Sequence, residues 1–399
     1  MHKRDFYLSQ LILFRDKPLI KVITGMRRCG KSSLLLLFKD YLRAQRVAER
    51  QIIYLNFESM AYDEIKTYKE LYAELKARVN PLKKTYLLLD EVQYVSQWER
   101  AINSFSTEEN VDIYLTGSNA YLLSSDLSTL LSGRYVEIHA YPLSFKEYRD
   151  FLPASGISRA EQFQAYLEFG GLPLVAEFIH RPELIQPFLS GVINTVIIKD
   201  IVQRNEVRDV PLLESVLRFI ADNIGKSVST KKISDYLTSA GRKVSSETVD
   251  HYLHLLEKAF IIYKAQRFDI KGKLFLKTLE KYYICDLGIR NQLLGLRNVH
   301  YGFVLENIIF FELLRRGYKV SVGKIGTLEV DFIAEKITEK VYYQVATTLQ
   351  EEATLKRELA SLRAIPDLYP KVILTMDPSF SKDLEGVRIV NIIDFLLEV

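Results

Sequence analysis

"TGMRRCGKSSLL", residues 24 to 35, decides how the rest of the chain is read. Gly25, four residues and then Gly30-Lys31-Ser32 stand between an apolar run, "LIKVIT" (19–24), and a helical pattern, "KSSLLLLFKDYLRAQ" (31–45). A strand, a glycine-bounded loop and a helix start are the context that gives this spacing a meaning. The glycines let the backbone curl until successive N–H groups face inward, and the helix N-terminus adds the positive end of its dipole. Lys31 is expected to reach the β- and γ-phosphates, and the Ser32 hydroxyl to ligate Mg²⁺. The phosphate cradle is therefore assigned to Gly25, Met26, Arg27, Arg28, Cys29, Gly30, Lys31, Ser32 and Ser33, with ATP and Mg²⁺ as cofactors. The plainer alternative is a glycine-rich loop carrying a surface lysine.

The strand pattern continues. "QIIYLNFE" (51–58), "TYLLLDE" (85–91), "DIYLTGS" (112–118) and "RYVEIHAY" (134–141) read as strands, with helical segments between several of them. Near-continuous apolar runs are what strands look like when helices cover both faces. The expectation is an α/β fold, a three-layer parallel-sheet P-loop ATPase domain over 1–155.

Three further residues complete the expected site. "TYLLLDEVQ" ends its strand on Asp90-Glu91: Asp90 can hold the hydrated Mg²⁺, and Glu91 can orient or deprotonate the attacking water. Asn119, after the strand in "IYLTGSNA", can help to position that water, or serve as a turn residue. Arg134 in "LLSGRY" can neutralise γ-phosphate charge in its own subunit or in a neighbour's, or form a structural salt bridge. Cys29 is given no chemistry beyond its backbone. Its place near Lys31 and a helix terminus does raise the idea of a lowered pKa and of ATP binding lost on oxidation.

Composition narrows the class. At 399 residues the chain exceeds one typical domain. A net charge of +4 does not hold a chain of this size to DNA, so nucleic-acid contact needs a local basic patch. Cys29 and Cys285 are the two cysteines, which fits a reducing compartment and no disulfide framework. The N-terminal "MHKRDFYLSQLILFRDKP" reads as an amphipathic helix rather than a signal peptide. No run of about 18 apolar residues is seen, so no membrane span and a cytoplasmic protein are expected.

Beyond residue 155 the strand signals fade. Residues 156–225 read as a helical lid or linker, interrupted by "FGGLPLV" (169–175). In 226–285, "STKKISDYLTSAG" and "SSETVDHYLHLLEKAFII" are helices, and "YKAQRFD" with "KLFLK" alternates like a hairpin. That order suggests a winged helix-turn-helix. Residues 286–399 read as a smaller α/β domain, with a helix at 302–317, strands "KVSVGK", "LEVDFIAE" and "KVYYQVAT", a helix near 351–363 and the strand "KVILTM".

"GMRRCGKSSLL", "YLLLDEVQ", "IYLTGSNA" and "LSGRYVEIHAYPLSFKEY" together resemble the AAA-like prokaryotic ATPases that carry a C-terminal DUF4143 domain. "FGGLPLV", "KDIVQRNEVRD", "LEKAFIIYKAQRFD" and "YYICDLGIRNQLLG…GFVLENIIFFELLRRG" extend the resemblance over nearly the whole chain. It implies ATP binding and a nucleotide-driven switch or motor, and it points to a nucleotide-sensing role for Arg134. The tail also resembles the restriction-endonuclease-like fold, with Glu306 on its helix, Asp331 on a strand and Gln344-Val345-Ala346 on the next. Gln344 keeps an oxygen but loses a charge, and Ala346 removes the expected lysine. A retired nuclease serving for docking is expected, with weak metal-dependent cleavage as the alternative.

Ten basic residues between Lys226 and Lys281 (Lys231, Lys232, Arg242, Lys243, Lys264, Arg267, Lys271, Lys273, Lys277 and Lys281) are a possible DNA-contacting set. Against it, the would-be recognition helix carries Glu247, Asp250 and Glu257. His251 and His254 on that helix lack the Cys or carboxylate partners of a metal site. A GTPase is disfavoured by the absence of Asn-Lys-x-Asp, and a transporter subunit by the absence of Leu-Ser-Gly-Gly. Small-molecule kinase and ATP-regulated DNA-binding protein are the competing classes. A protein partner and homo-oligomerisation are further expectations.

Overall fold

In the computed structural model, the residues described are 2–108, 110–117, 131, 133–152, 156–205, 207–295, 300–378 and 382–398. The chain divides into two units, 1–142 and 143–399, where four parts were expected from the sequence.

The first unit is built on strands β1 (Ile20–Thr24), β2 (Ile52–Asn56), β3 (Thr85–Asp90), β4 (Val111–Thr116) and β5 (Tyr135–His139). All pair in parallel, in the order β2-β3-β4-β1-β5. Period-two alternation explains the continuous apolar runs, because each strand feeds two cores. On one face Val22, Leu55, Leu87, Leu89 and Leu115 meet Leu71 and Leu75 of α3 (Tyr68–Arg78) and Trp98, Ile102 and Phe105 of α4 (Trp98–Phe105). On the other, Ile23, Ile52, Leu88 and Tyr114 meet Leu34, Leu35, Phe38 and Leu42 of α2 (Lys31–Ala44) and Tyr7 and Leu11 of α1 (Asp5–Leu13). Two polar interruptions, Lys21 in β1 and Asp112 in the neighbouring β4, pair with each other in the interior. The N-terminal helix is present as expected. The strand order turns back on itself around β1, and in such sheets ligands bind outside the carboxyl ends of the strands at that reversal.

The second unit begins with helices and ends on a nine-stranded sheet. Helices Val210–Asp222, Thr230–Ser239 and Ser246–Lys258 are followed by β7 (Ile262–Asp269) and β8 (Leu274–Ile284), with the short β6 (Ser227–Val228) pairing onto β8. Next come the helix Tyr301–Arg315, the antiparallel β9 (Lys319–Ile325), β10 (Leu328–Glu335) and β11 (Lys340–Ala346), the helix Glu352–Arg363, and β12 (Lys371–Thr375) parallel to β11. The sequence anticipated these, but not β14 (Val387–Asn391) or β13 (Lys382–Leu384) at the sheet edge. It also missed that β7 pairs in parallel with β9, through Arg267–Val322, Phe268–Gly323 and Asp269–Lys324. One sheet therefore runs across the boundary drawn at 285/286.

No span was expected from the sequence, yet one helical stretch, Pro182–Val202, is long and apolar enough to cross a membrane by length and composition. About half of it is buried within the protein, through Ile185, Leu189, Val192 and Ile193 among others. A core helix passes the same test.

Candidate functional site

The loop after β1 has the shape that the glycine spacing required. Gly25 has φ 134° and Gly30 φ 98°, and both lie in the region that favours glycine. A Cβ on Gly25 would stand 2.1 Å from the Ala140 carbonyl oxygen, so that position also needs the missing side chain for space. Helix α2 starts at Lys31 with no side-chain cap, which leaves its first N–H groups to a ligand. Lys31 is 4% exposed, and its Nζ donates to the carbonyls of Gly25 (3.1 Å) and Met26 (3.0 Å) across the loop. Its ammonium is thus held inside the curl. Met26 and Cys29 are buried, and Arg28 and Ser33 face solvent. Arg27 pairs with Glu58 at 3.3 Å.

Asp90 is where the carboxyl ends of the strands converge. It is fully buried at the end of β3, and its Oδ1 accepts from the Ser32 hydroxyl at 3.1 Å and from the Thr116 hydroxyl. Its Oδ2 accepts from the Tyr54 hydroxyl at 3.0 Å. Burial pushes the Asp90 pKa up, and the bonds from Thr116 and Ser32 oppose that shift. Burial, then the Asp90 charge, push the Tyr54 phenol up, which keeps it a donor. Ser32 and Asp90 are hard oxygen donors in contact at the mouth of the loop, a set that fits Mg²⁺ with several retained waters.

Glu91 follows in a left-handed conformation, φ 54°, and its N–H donates to the Thr116 hydroxyl at 2.9 Å. Its carboxylate accepts from Gln93 Nε2. Backbone strain of this kind on a non-glycine residue costs about 1–3 kcal/mol and gathers at functional sites. Thr116 and Tyr54 escaped the sequence reading. The available signal was a hydroxyl near the carboxyl end of an apolar strand, in "DIYLTGS" and "QIIYLNFE". Asn119 lies outside the described residues.

Arg134 is not brought to this cluster. Its carbonyl accepts from Ile20 N–H at 2.9 Å, at the amino end of β1, and Ile20 pairs with Tyr135. The phosphate loop leaves the other end of β1, roughly 16 Å of strand away. Within its own subunit Arg134 lines a cavity of about 270 Å³ with Asp16, Lys84 and Glu108 instead. Cys29 also departs from the oxidation idea. It is fully buried and its thiol donates to the Ala140 carbonyl at 3.2 Å, away from peroxide.

In the second unit, Glu306, Asp331 and Gln344 line one cavity of about 780 Å³, together with Ala346 and Glu358. Gln344 Oε1 accepts from Asp331 N–H (2.6 Å), its Nε2 donates to Glu358 (2.7 Å), and Asp331 Oδ2 accepts from Val345 N–H (2.8 Å). The lysine missing at 346 has a counterpart from elsewhere: Lys281 on β8 donates to Glu306 at 3.2 Å and pairs with Glu329 at 2.8 Å. Burial pushes Asp331 well above the usual carboxylate range, and the nearby Glu306 adds to it. Glu306 is also raised by burial, against the pull of Lys281. Among the described residues no group of three or more His, Cys, Asp or Glu is arranged to hold a metal ion.

This geometry also removes members of the basic set. Lys281 is buried in the Glu306 pair and Lys264 pairs with Glu280 at 3.5 Å. The helix Ser246–Lys258 exposes Glu247, Asp250, His251 and His254.

Residues 17–149 match the family described as an AAA domain, and residues 160–300 match DUF8612, a domain of unknown function, where DUF4143 was expected. An uncharacterized protein of Haemophilus influenzae is 42% identical over the whole of this chain and 99% of its own length. The chain belongs to that protein's family. An uncharacterized protein of Methanocaldococcus jannaschii is 29% identical over 91% of this chain and 83% of its own. Among solved structures, a Walker-type ATPase of Pyrococcus abyssi covers 73% of this chain and 96% of itself, at 20% identity and a TM-score of 0.52. That likeness is one of fold. The AAA domain therefore coincides with the first unit's parallel sheet and with the loop at Gly25–Ser32.

Proposed function

We propose that the AAA domain binds MgATP and hydrolyses it to ADP and phosphate. The observation that carries this is the bridge at Thr116, whose hydroxyl holds both the Asp90 carboxylate and the Glu91 backbone, while Ser32 meets the same Asp90 oxygen. The uncapped amides of α2 and the Lys31 ammonium cradle the phosphates. Ser32 and Asp90 hold Mg²⁺, which when bound neutralises charge on the β- and γ-phosphate oxygens. Glu91 takes the proton of a water that attacks the γ-phosphorus, the bond from phosphorus to the β,γ-bridging oxygen breaks, and ADP leaves with that oxygen. Gln93 holds the Glu91 carboxylate for this step, and Asn119 is the proposed aid to the same water.

Arg134 acts in trans in this account, because its place at the amino end of β1 keeps it from its own phosphate loop. That requires a homo-oligomer. The second unit is read as the part that nucleotide state drives, with a winged-helix-like element order over 210–284 and a restriction-endonuclease-like order over 301–375. The acidic face of Ser246–Lys258 and the buried Lys281 favour a protein partner over DNA. Acids that are buried and already bonded within the chain, Glu306 to Lys281 and Asp331 to the Val345 N–H, favour a docking role over cleavage. The two buried thiols, Cys29 and Cys285, fit a reducing, cytoplasmic setting.

Single-turnover hydrolysis tests the enzyme reading. Glu91→Gln is expected to bind MgATP as the wild type does and to cleave it about 10²–10⁴-fold more slowly. A wild-type chain that binds ATP without releasing phosphate would leave an ATP-regulated binding protein as the reading.

A further inference from the structure

The phosphate loop leans on a residue that no motif marks. Arg4, just ahead of α1, is 2% exposed. Its Nη1 donates to the Cys29 carbonyl at 2.9 Å and its Nη2 to the Tyr141 carbonyl at 2.9 Å. The guanidinium carbon lies 4.4 Å from the centroid of the Tyr7 ring, and the Tyr7 hydroxyl accepts the Tyr141 N–H at 3.1 Å. Tyr7 and Leu11, four apart on one helix face, bury α1 in the same core as α2, so the base of the clamp is rigid. The loop also touches residue 140: Cys29 Sγ donates to its carbonyl at 3.2 Å, and Ala140 N–H donates to the Thr24 carbonyl at 2.9 Å.

Peptide geometry gives these contacts a consequence. In a trans peptide the C=O and the following N–H point in opposite directions. With the Cys29 carbonyl drawn onto Arg4, the Gly30 N–H is turned to the far side of that peptide plane. Gly30 is the residue from which α2 starts, so the orientation of this one plane sets whether the loop offers a donor to an anion there. The second bond, to Tyr141, keeps the guanidinium from following the loop if it shifts. A buried cation behind an anion site adds favourable potential as well.

We propose that Arg4 is a positioning residue of the nucleotide site: it fixes the Cys29–Gly30 peptide so that the Gly30 amide faces bound phosphate. The inference rests on the ATP-binding reading and adds to it a residue outside the loop. Without these bonds the Cys29–Gly30 plane is free to turn in the unliganded chain, and the loss of one oriented donor to a charged phosphate is expected to cost roughly tenfold in affinity.

The test uses the full chain with Arg4→Met and Arg4→Lys, a fluorescent ATP analogue with Mg²⁺, and thermal unfolding measured alongside. Arg4→Met is expected to bind at least about tenfold more weakly. Arg4→Lys, which keeps one charged donor, is expected to recover most of the loss, and the affinities are not expected to track the unfolding temperatures. If Arg4→Met does not fold, Arg4→Lys carries the test alone, with an expected loss of about twofold to threefold. Wild-type affinity in the folded variants would overturn the proposal, as would equal losses in Lys and Met that follow unfolding temperature. Absence of binding by the wild type would instead defeat the ATP-binding reading itself.

Discussion

Thr116→Val is the perturbation that probes the site most sharply, because valine keeps the shape of threonine and removes only the hydroxyl. That hydroxyl donates to Asp90 Oδ1 and accepts the Glu91 N–H. Its loss takes a charge-assisted bond from a fully buried carboxylate, worth about 1.5–3 kcal/mol, and leaves a buried N–H without its acceptor, worth about 1–3 kcal/mol. The two overlap, since Asp90 keeps its bonds from Ser32 and Tyr54 and its already raised pKa rises further. A net destabilisation of about 3 kcal/mol is expected, measured by urea denaturation. The strained Glu91 then loses the bond that holds its backbone, so the single-turnover rate of ATP cleavage is expected to fall by about 100-fold or more. Thr116→Ser retains the hydroxyl and is expected to recover both quantities nearly in full. Wild-type stability and rate in Thr116→Val would refute the bridge as the organiser of the two acids.

Two other outcomes follow from the structure. Burial pushes Glu257 up to about 7, with Glu280 and Asp250 adding to the rise and Lys264 opposing it. The folded chain then holds a proton between about 4.5 and 7 that the unfolded chain has released, so stability falls as pH rises through that window. Glu257→Gln is expected to gain about 1–3 kcal/mol over the wild type at pH 8 and little at pH 5 by chemical denaturation, and an equal effect at both pH values would contradict the shift. Arg134→Ala is expected to lose hydrolysis by about 10³-fold and to regain part of it when mixed with Lys31→Ala, whose own Arg134 is intact; undiminished activity in Arg134→Ala alone would remove that residue from the mechanism.

What the sequence disclosed and what it hid divide along a physical line. The loop, the five parallel strands and the Asp90-Glu91 pair are local patterns: glycine spacing, apolar periodicity and a polar stop at a strand end. Contacts between distant segments have no such signature. The pairing of β7 with β9 joins residues more than fifty positions apart, and nothing in "YKAQRFD" or "KVSVGK" announces it. Lys281 reads as one more surface base until alternation along β8 puts it on the same side as Tyr283, facing Glu306. The neighbours of Arg134 in sequence point to the phosphate site, and the parallel sheet carries it to the end opposite the loop. Thr116 and Tyr54 were hidden differently: a hydroxyl inside an apolar strand looks like tolerated polarity until the buried acid it serves is in view.

Equilibrium titration of the purified chain with MgATP, beside Lys31→Met, tests the central claim most directly. The account expects one nucleotide per chain and at least about 100-fold weaker binding once the ammonium held over Gly25 and Met26 is gone. No binding by the wild type, or the same affinity in both proteins, would contradict it.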